Sequence, residues 1–240
     1  MTLLSKVRDC FNNGLIRIIG FSIILISQSS LNATVGSGLE AEIVISEDPV
    51  DGAFTLVSSG QAAHLWYDDN DHPGVIRAIG DLQSDIGRVT GYKPQMTKNN
   101  PGKKHPVIIG TIGKSQLIDD LISAGKLDDS ELRGKWESYV IATLANPVPE
   151  IDQALVIVGS DKRGTIYGIY ELSEQIGVSP WYWWADVPVS HKDALYVKPG
   201  FYASGEPKVK YRGIFINDEA PALRNWAKEK FGGFNHEFYV

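Results

Sequence analysis

Asn217-Asp218-Glu219 is the most chemically loaded triplet of the chain, because it sets an amide and two carboxylates at the end of the apolar run Val209 to Ile216. In a barrel the carboxyl end of a strand is the catalytic face, so carboxylates there are placed for proton transfer or for orienting a polar ligand. Neighbouring strand side chains point to opposite sides, so one of Asp218 and Glu219 faces such a site. The plainer alternative is that the triplet caps a following helix, whose dipole favours acids at its start. Lys162 and Arg163 form a second group, in Gly159-Ser160-Asp161-Lys162-Arg163-Gly164 after the apolar run Leu155 to Val158. Open α/β sheets bind ligands at strand ends of this kind, and two cations suit a carboxylate or phosphate, unless they are simply an exposed pair. A third group is Trp181-Tyr182-Trp183-Trp184, bounded by Pro180 and Pro188. Four consecutive aromatics cannot all enter one core, so some meet an interface or the C–H face of a sugar. Gly113-Lys114-Ser115 has the strand-to-helix setting of a phosphate loop. It lacks the glycine that such a loop needs five residues earlier, where Ile108 stands, and reads as a tight turn with Ser115 as a helix cap.

Alternating strands and helices must position these groups. Ile43 to Ile45, Phe54 to Val57 and His64 to Tyr67 read as strands, with turns at Asp51-Gly52 and Ser59-Gly60. Val75, Ile76, Ile79, Leu82, Ile86 and Val89 recur at helical spacing, and Gly91 closes that helix. After a polar loop from Pro94 to His105 come a strand at Val107 to Ile109 and a helix from Ser115 to Ala124. Tyr139 to Leu144 and Leu155 to Val158 are further strands, the second rich enough in β-branched residues to be central. A helix from Arg163 to Ile176 ends at Gly177, and Gly164 and Gly168 suit close packing of that helix on the sheet. A strand at Ala194 to Val197 follows. The expected fold class is α/β, with one mostly buried sheet covered by helices. A linker at Gly205-Glu206-Pro207 separates this domain, residues 40–205, from residues 206–240, which read as one strand, one helix from Pro221 and a second helix start at Asn235. A lone strand and helix cannot build a core.

Composition narrows the function classes. The chain has 240 residues, 23 Lys and Arg against 29 Asp and Glu, and 43% hydrophobic residues, which excludes disorder and argues against binding nucleic acid. One Cys excludes a disulfide framework and a cysteine-rich zinc site. The five His are scattered, so no metal site or other cofactor is expected. Lys6, Arg8 and Arg17 precede the apolar stretch Ile18 to Ile26, which is too short to span a membrane and ends in small and polar residues. Residues 1–33 therefore read as a signal peptide, giving an exported protein, periplasmic or extracellular, with no membrane segment after cleavage.

Lys208 to Val240 (KVKYRGIFINDEAPALRNWAKEKFGGFNHEFYV), with Gly159 to Pro188 (GSDKRGTIYGIYELSEQIGVSPWYWWADVP), closely resembles the N-terminal part of glycoside hydrolase family 115, the xylan α-1,2-glucuronidases. The string YRGIFINDE is the most specific part, and the resemblance covers essentially the whole mature chain. It implies an exported enzyme with an α/β domain, then a catalytic (β/α)8 barrel, a helical region and a C-terminal β-domain. It also implies inverting release of (4-O-methyl)glucuronic acid from glucuronoxylan or aldouronic acids, with no metal or organic cofactor. On this comparison the chain holds the α/β domain and a truncated barrel start, its first strand and helix, and is inactive by itself. Asn217, Asp218 and Glu219 then line the sugar site, with Asp218 as the catalytic or substrate-orienting carboxylate. Lys162, Arg163 and Trp184 are implied contributors from the α/β domain. A homodimer is one open assembly of the full-length protein. The rival reading is a stand-alone carbohydrate-binding or interaction module built on Trp181 to Trp184.

Overall fold

Ten strands and five helices follow one another in the computed structural model, which describes residues 43–102, 105–182, 185–215 and 217–239. These all lie in the unit Glu40–Val240; the expected signal peptide and Trp184 lie outside the described residues. The strands are β1 (Ile45–Ser46), β2 (Phe54–Ser58), β3 (Gln61–Ala62), β4 (Leu65–Tyr67), β5 (Met96–Thr97), β6 (Val107–Thr111), β7 (Tyr139–Ala145), β8 (Gln153–Gly159), β9 (Leu195–Val197) and β10 (Phe201–Ala203). The helices are α1 (Pro73–Thr90), α2 (Gln116–Ser123), α3 (Lys162–Ile176), α4 (Arg224–Phe231) and α5 (His236–Tyr239).

The strands divide between two sheets, where the sequence pattern suggested one. Six run in the order β10-β7-β8-β6-β4-β5, parallel from β8 to β5 and antiparallel at β7 and β10. The other four form an antiparallel sheet, β1-β9-β2-β3. Alternation tells which face of a strand is buried but not which strand it pairs with, and the pairing of Phe54 with Val197 joins segments far apart in sequence. β10, which the sequence pattern did not mark and which Pro199-Gly200 and Gly205 flank, forms by pairing along β7, Tyr202 opposite Ile141.

The buried strand β8 explains the layering. Leu155 and Ile157 face one core, shared with α1, α3 and the four-stranded sheet, while Ala154, Val156 and Val158 face a second core with Ile118 and Leu121 of α2. Successive strand side chains alternate in this way, so a strand covered on both faces must be apolar throughout. The helix stops match their residues. α1 and α3 end at Gly91 and Gly177, both with positive φ, where L side chains are strained. Ser115 caps α2 by accepting the Ile118 N–H.

Close approach, not flexibility, accounts for the glycines around α3. A Cβ on Gly159 would stand 2.0 Å from the Thr165 nitrogen, and one on Gly164 would stand 2.2 Å from the Ser138 carbonyl oxygen. On Gly168 it would meet Ile157 Cγ2 at 2.9 Å. The helix therefore sits on β7 and β8 at a distance that only hydrogen at these positions permits.

Residues 208–215 depart from expectation, for they form no strand. Tyr211 and Phe215 are 87% and 89% exposed, and Ile214 is similarly bare. A parallel strand draws its hydrogen bonds from neighbours, and no described strand runs beside this segment. The residues after it do make a small core of their own, which the sequence argument had excluded. Phe238 of α5 is buried at its hub, with ring centroids 4.8 Å from Phe234, 5.7 Å from Phe231 and 6.2 Å from Trp226, all edge-to-face.

The glycine geometry makes a paired prediction for urea unfolding of the chain. Gly164→Ala should destabilise it by about 3 kcal/mol through overpacking against backbone. Gly80→Ala, in α1 with nothing within 4 Å of the added carbon, should stabilise it by about 0.5–1 kcal/mol. Equal midpoints for the two variants would contradict this packing.

Candidate functional site

The carboxyl ends of the parallel strands β4, β6 and β8 are where an open sheet presents ligand-binding loops. In this chain its own carboxylates occupy them. After β4, Asp68 accepts the Gln116 N–H at 2.8 Å, and buried Asp71 accepts the Thr111 and His72 N–H groups at 2.7 and 2.6 Å. After β6, Asp119 takes the Gly113 N–H at 2.9 Å, while the Lys114 and Ser115 N–H groups both bond the Thr111 carbonyl. The amides that a phosphate would need at Gly113-Lys114-Ser115 are thus already used. After β8, Asp161 caps α3, accepting from the Arg163 and Gly164 N–H groups at 2.9 Å each and, through its other oxygen, from the Glu137 N–H at 2.8 Å.

Glu137 carries the densest polar cluster. Its backbone has φ 50, left-handed for a residue with a side chain, and its carboxylate is only 7% exposed. One carboxylate oxygen meets Arg163 Nη1 at 2.7 Å and the other pairs with Arg212 Nη2. Burial of a carboxylate is tolerable only with such partners. Both guanidinium groups also donate to the Tyr167 hydroxyl, at 3.2 and 3.3 Å, and Arg212 lies over the Trp136 and Tyr167 rings at 5.8 Å from each centroid. Its hydrogen bond to Glu137 is the largest cause holding the Arg212 guanidinium above its ordinary pKa. Arg163, read from the sequence as suited to a ligand carboxylate, thus holds an internal one. Lys162 beside it is exposed.

A groove of about 1130 Å³ lies beside this cluster, between α1, α3 and the segment around residues 204–212. Its polar walls bridge α1 to α3 and α3 to β7: Tyr170 donates to Asp81 at 2.7 Å and Tyr139 to Glu171 at 3.0 Å. Burial first, then the Asp81 bond, raise the Tyr170 hydroxyl pKa well above its usual value.

Asn217, Asp218 and Glu219 are exposed, and among the described residues no hydrogen bond or ion pair joins them to Lys162 or Arg163. They do not cap a helix through their side chains: α4 starts at Arg224, and Asn217 Oδ1 instead accepts the Glu219 N–H at 3.0 Å in a local turn. Of the aromatic run, Trp181 is 59% exposed, whereas Tyr182 packs on the first core with Arg88 5.1 Å over its ring. Asp186, just after the run, pairs with Lys230 of α4. Sequence reasoning missed Glu137 and Arg212. Glu137 stands in no motif, Arg212 was given no role although it lies in the string YRGIFINDE, and only the fold brings together positions 75 residues apart. Among the described residues no three His, Cys, Asp or Glu side chains cluster as metal ligands.

The sequence profile of glycosyl hydrolase family 115 matches residues 204–240, and that of the glycosyl hydrolase family 67 N-terminus matches residues 55–172. Among solved structures, a family GH115 4-O-methyl-alpha-glucuronidase with specificity for decorated arabinogalactans is similar at 33% identity and a TM-score of 0.63. The likeness covers 76% of this chain, which spans 22% of that enzyme's length. A second structure, CpGH84D, covers 68% of this chain and 24% of its own at 11% identity; its TM-score of 0.39 is too low to carry an argument. No curated protein matches the chain.

The closed strand ends predict the effect of removing the carboxylate that takes three backbone N–H groups. Asp161→Ala strips the acceptor from three backbone N–H groups and should cost about 2 kcal/mol in urea unfolding, the upper range for a lost helix cap. A loss below about 0.5 kcal/mol would show that water replaces Asp161 freely.

Proposed function

Because the chain belongs to glycoside hydrolase family 115 and has the fold of that family's N-terminal region, we propose that it serves an exported α-glucuronidase that removes (4-O-methyl)glucuronic acid side chains from a plant polysaccharide. The observation that carries this reading is the family profile over residues 204–240, the stretch that holds Asn217, Asp218 and Glu219. Inverting hydrolysis needs a carboxylic acid to protonate the leaving oxygen and a carboxylate to activate water, about 6.5–9.5 Å apart. Asp218 is one such group, exposed and ready to meet a sugar. Asn217 and Glu219 flank it as hydrogen-bonding partners for hydroxyl groups. The second carboxyl comes from outside these residues, so the 240-residue chain alone does not turn over substrate. The α/β layers act as the base on which this segment is mounted. Homodimerisation and cleavage after Ala33 are parts of the same reading; the mature exported chain would begin at Thr34.

Trp181 favours a second role, in which the chain grips polysaccharide without cleaving it, because an indole so exposed offers its face to a sugar ring. Calorimetry with glucuronoxylan separates that role: heat that vanishes in Trp181→Ala supports it, and no heat removes it.

The enzymatic reading is tested by replacing the matching region of the solved family 115 enzyme with this chain and assaying glucuronic acid release from aldouronic acids and from arabinogalactan. The chimera should be active on at least one, the preferred substrate telling xylan from arabinogalactan. Asp218→Ala should then lower kcat/KM about 100- to 10,000-fold. A loss of less than about threefold would remove Asp218 from the chemistry.

A further inference from the structure

We propose that Glu137 is a positioning residue for the Asn217–Glu219 turn, acting through Arg212; the role at a sugar site rests on the reading above, but the anchoring itself does not. Between Val209 and Phe215 the chain has no strand partner and its large apolar side chains stand in solvent. Among the described residues, Arg212 makes the side-chain bonds that tie this stretch to the α/β layers. Its Nη2 is held by Glu137 and by the Tyr167 hydroxyl, and its guanidinium carbon lies 5.8 Å from the Trp136 and Tyr167 ring centroids. Its Nη1 donates back to the Val209 carbonyl at 2.6 Å, which folds the segment around its own anchor. Asn217 lies five residues beyond Arg212, and five residue steps reach about 18 Å at most. Fixing the guanidinium therefore confines the turn that carries Asp218.

Arg163 makes this a positioning device rather than a core contact. Glu137 keeps Arg163 on its other oxygen when Arg212 is absent, so the buried carboxylate stays neutralised and the α/β layers keep their packing. Arg212 lines the wall of the open groove, so its removal widens that groove and leaves no closed cavity in either core. Losing Arg212 should then free residues 209–219, while the Asp186–Lys230 pair still holds α4 and the domain stays intact; losing Arg163 should free nothing.

Limited chymotrypsin digestion of the chain, which cuts after exposed Tyr211 and Phe215, tests the anchoring with three variants. Arg212→Ala and Glu137→Gln should speed cleavage in residues 209–219 about tenfold or more, with the α/β layers as resistant as before. Arg163→Ala should leave residues 209–219 as in the parent. Cleavage of that stretch in the parent at the rate of the unfolded chain, or no change in Arg212→Ala, would overturn the proposal; if Glu137→Gln unfolds, Arg212→Ala alone decides. In the chimera, Arg212→Ala should lower kcat with little change in KM, and Arg212→Lys should restore part of it. Faster cleavage with unchanged kcat would overturn the positioning role. A chimera inactive with Arg212 intact would instead count against the enzymatic reading, and the cleavage result would still judge the anchor.

Discussion

A buried carboxylate shared by two guanidinium groups is the constraint on which the arrangement turns. Glu137 cannot leave water without compensation, and the fold delivers it from two directions: Arg163 from the first turn of α3, and Arg212 from the segment after the α/β layers. Each delivery has its own precondition. α3 must lie close on β7 and β8, which Gly159, Gly164 and Gly168 permit. Glu137 must turn its backbone to φ 50, a conformation that costs about 1 kcal/mol for a residue with a side chain. Asp161 holds that turn by accepting the Glu137 N–H while it caps α3. Close packing, helix cap and ion pairs are therefore steps of one mechanical chain that ends at the segment carrying Asp218.

The same arrangement explains where chemistry does not occur. An open parallel sheet offers its carboxyl ends to ligands, yet Asp68, Asp71, Asp119 and Asp161 have turned those ends inward by bonding the chain's own amides. An anion arriving there would find the donors used and carboxylates in its way. The α/β layers are thereby closed as a nucleotide-type site and free to act as a mount, and Asn217, Asp218 and Glu219 beyond them are exposed.

Much of the mount was legible in the sequence. Helical spacing from Val75 to Val89, the stop at Gly91, the continuous apolar run of β8 and the cap at Ser115 each follow from local rules, and the structure has them. The glycines at 164 and 168 were legible as packing residues for the same reason: helical spacing puts both on one face. What local rules could not supply was pairing. The split into two sheets depends on β9 choosing β2, and β10 exists only because β7 offers an edge. The segment 209–215 had the alternation of a strand and no neighbour to make it one. Within the candidate site, Asn217 to Glu219 stood out by their chemistry and by the string YRGIFINDE that holds them. Glu137 did not, and the same string marked Arg212 without giving it a role, since a glutamate in a loop and an arginine in an apolar run acquire a partner only when the fold closes the distance between them.

The central claim is that Glu137, through Arg212, holds the Asn217–Glu219 turn in one place relative to α3. Spin labels at Lys162→Cys, on the exposed first turn of α3, and at Glu219→Cys, with Cys10 replaced by Ser, measure that placement directly by electron–electron double resonance. The account predicts a single narrow distance distribution that broadens when Arg212→Ala is added. A broad distribution in the labelled parent, or one that Arg212→Ala leaves narrow, would contradict it.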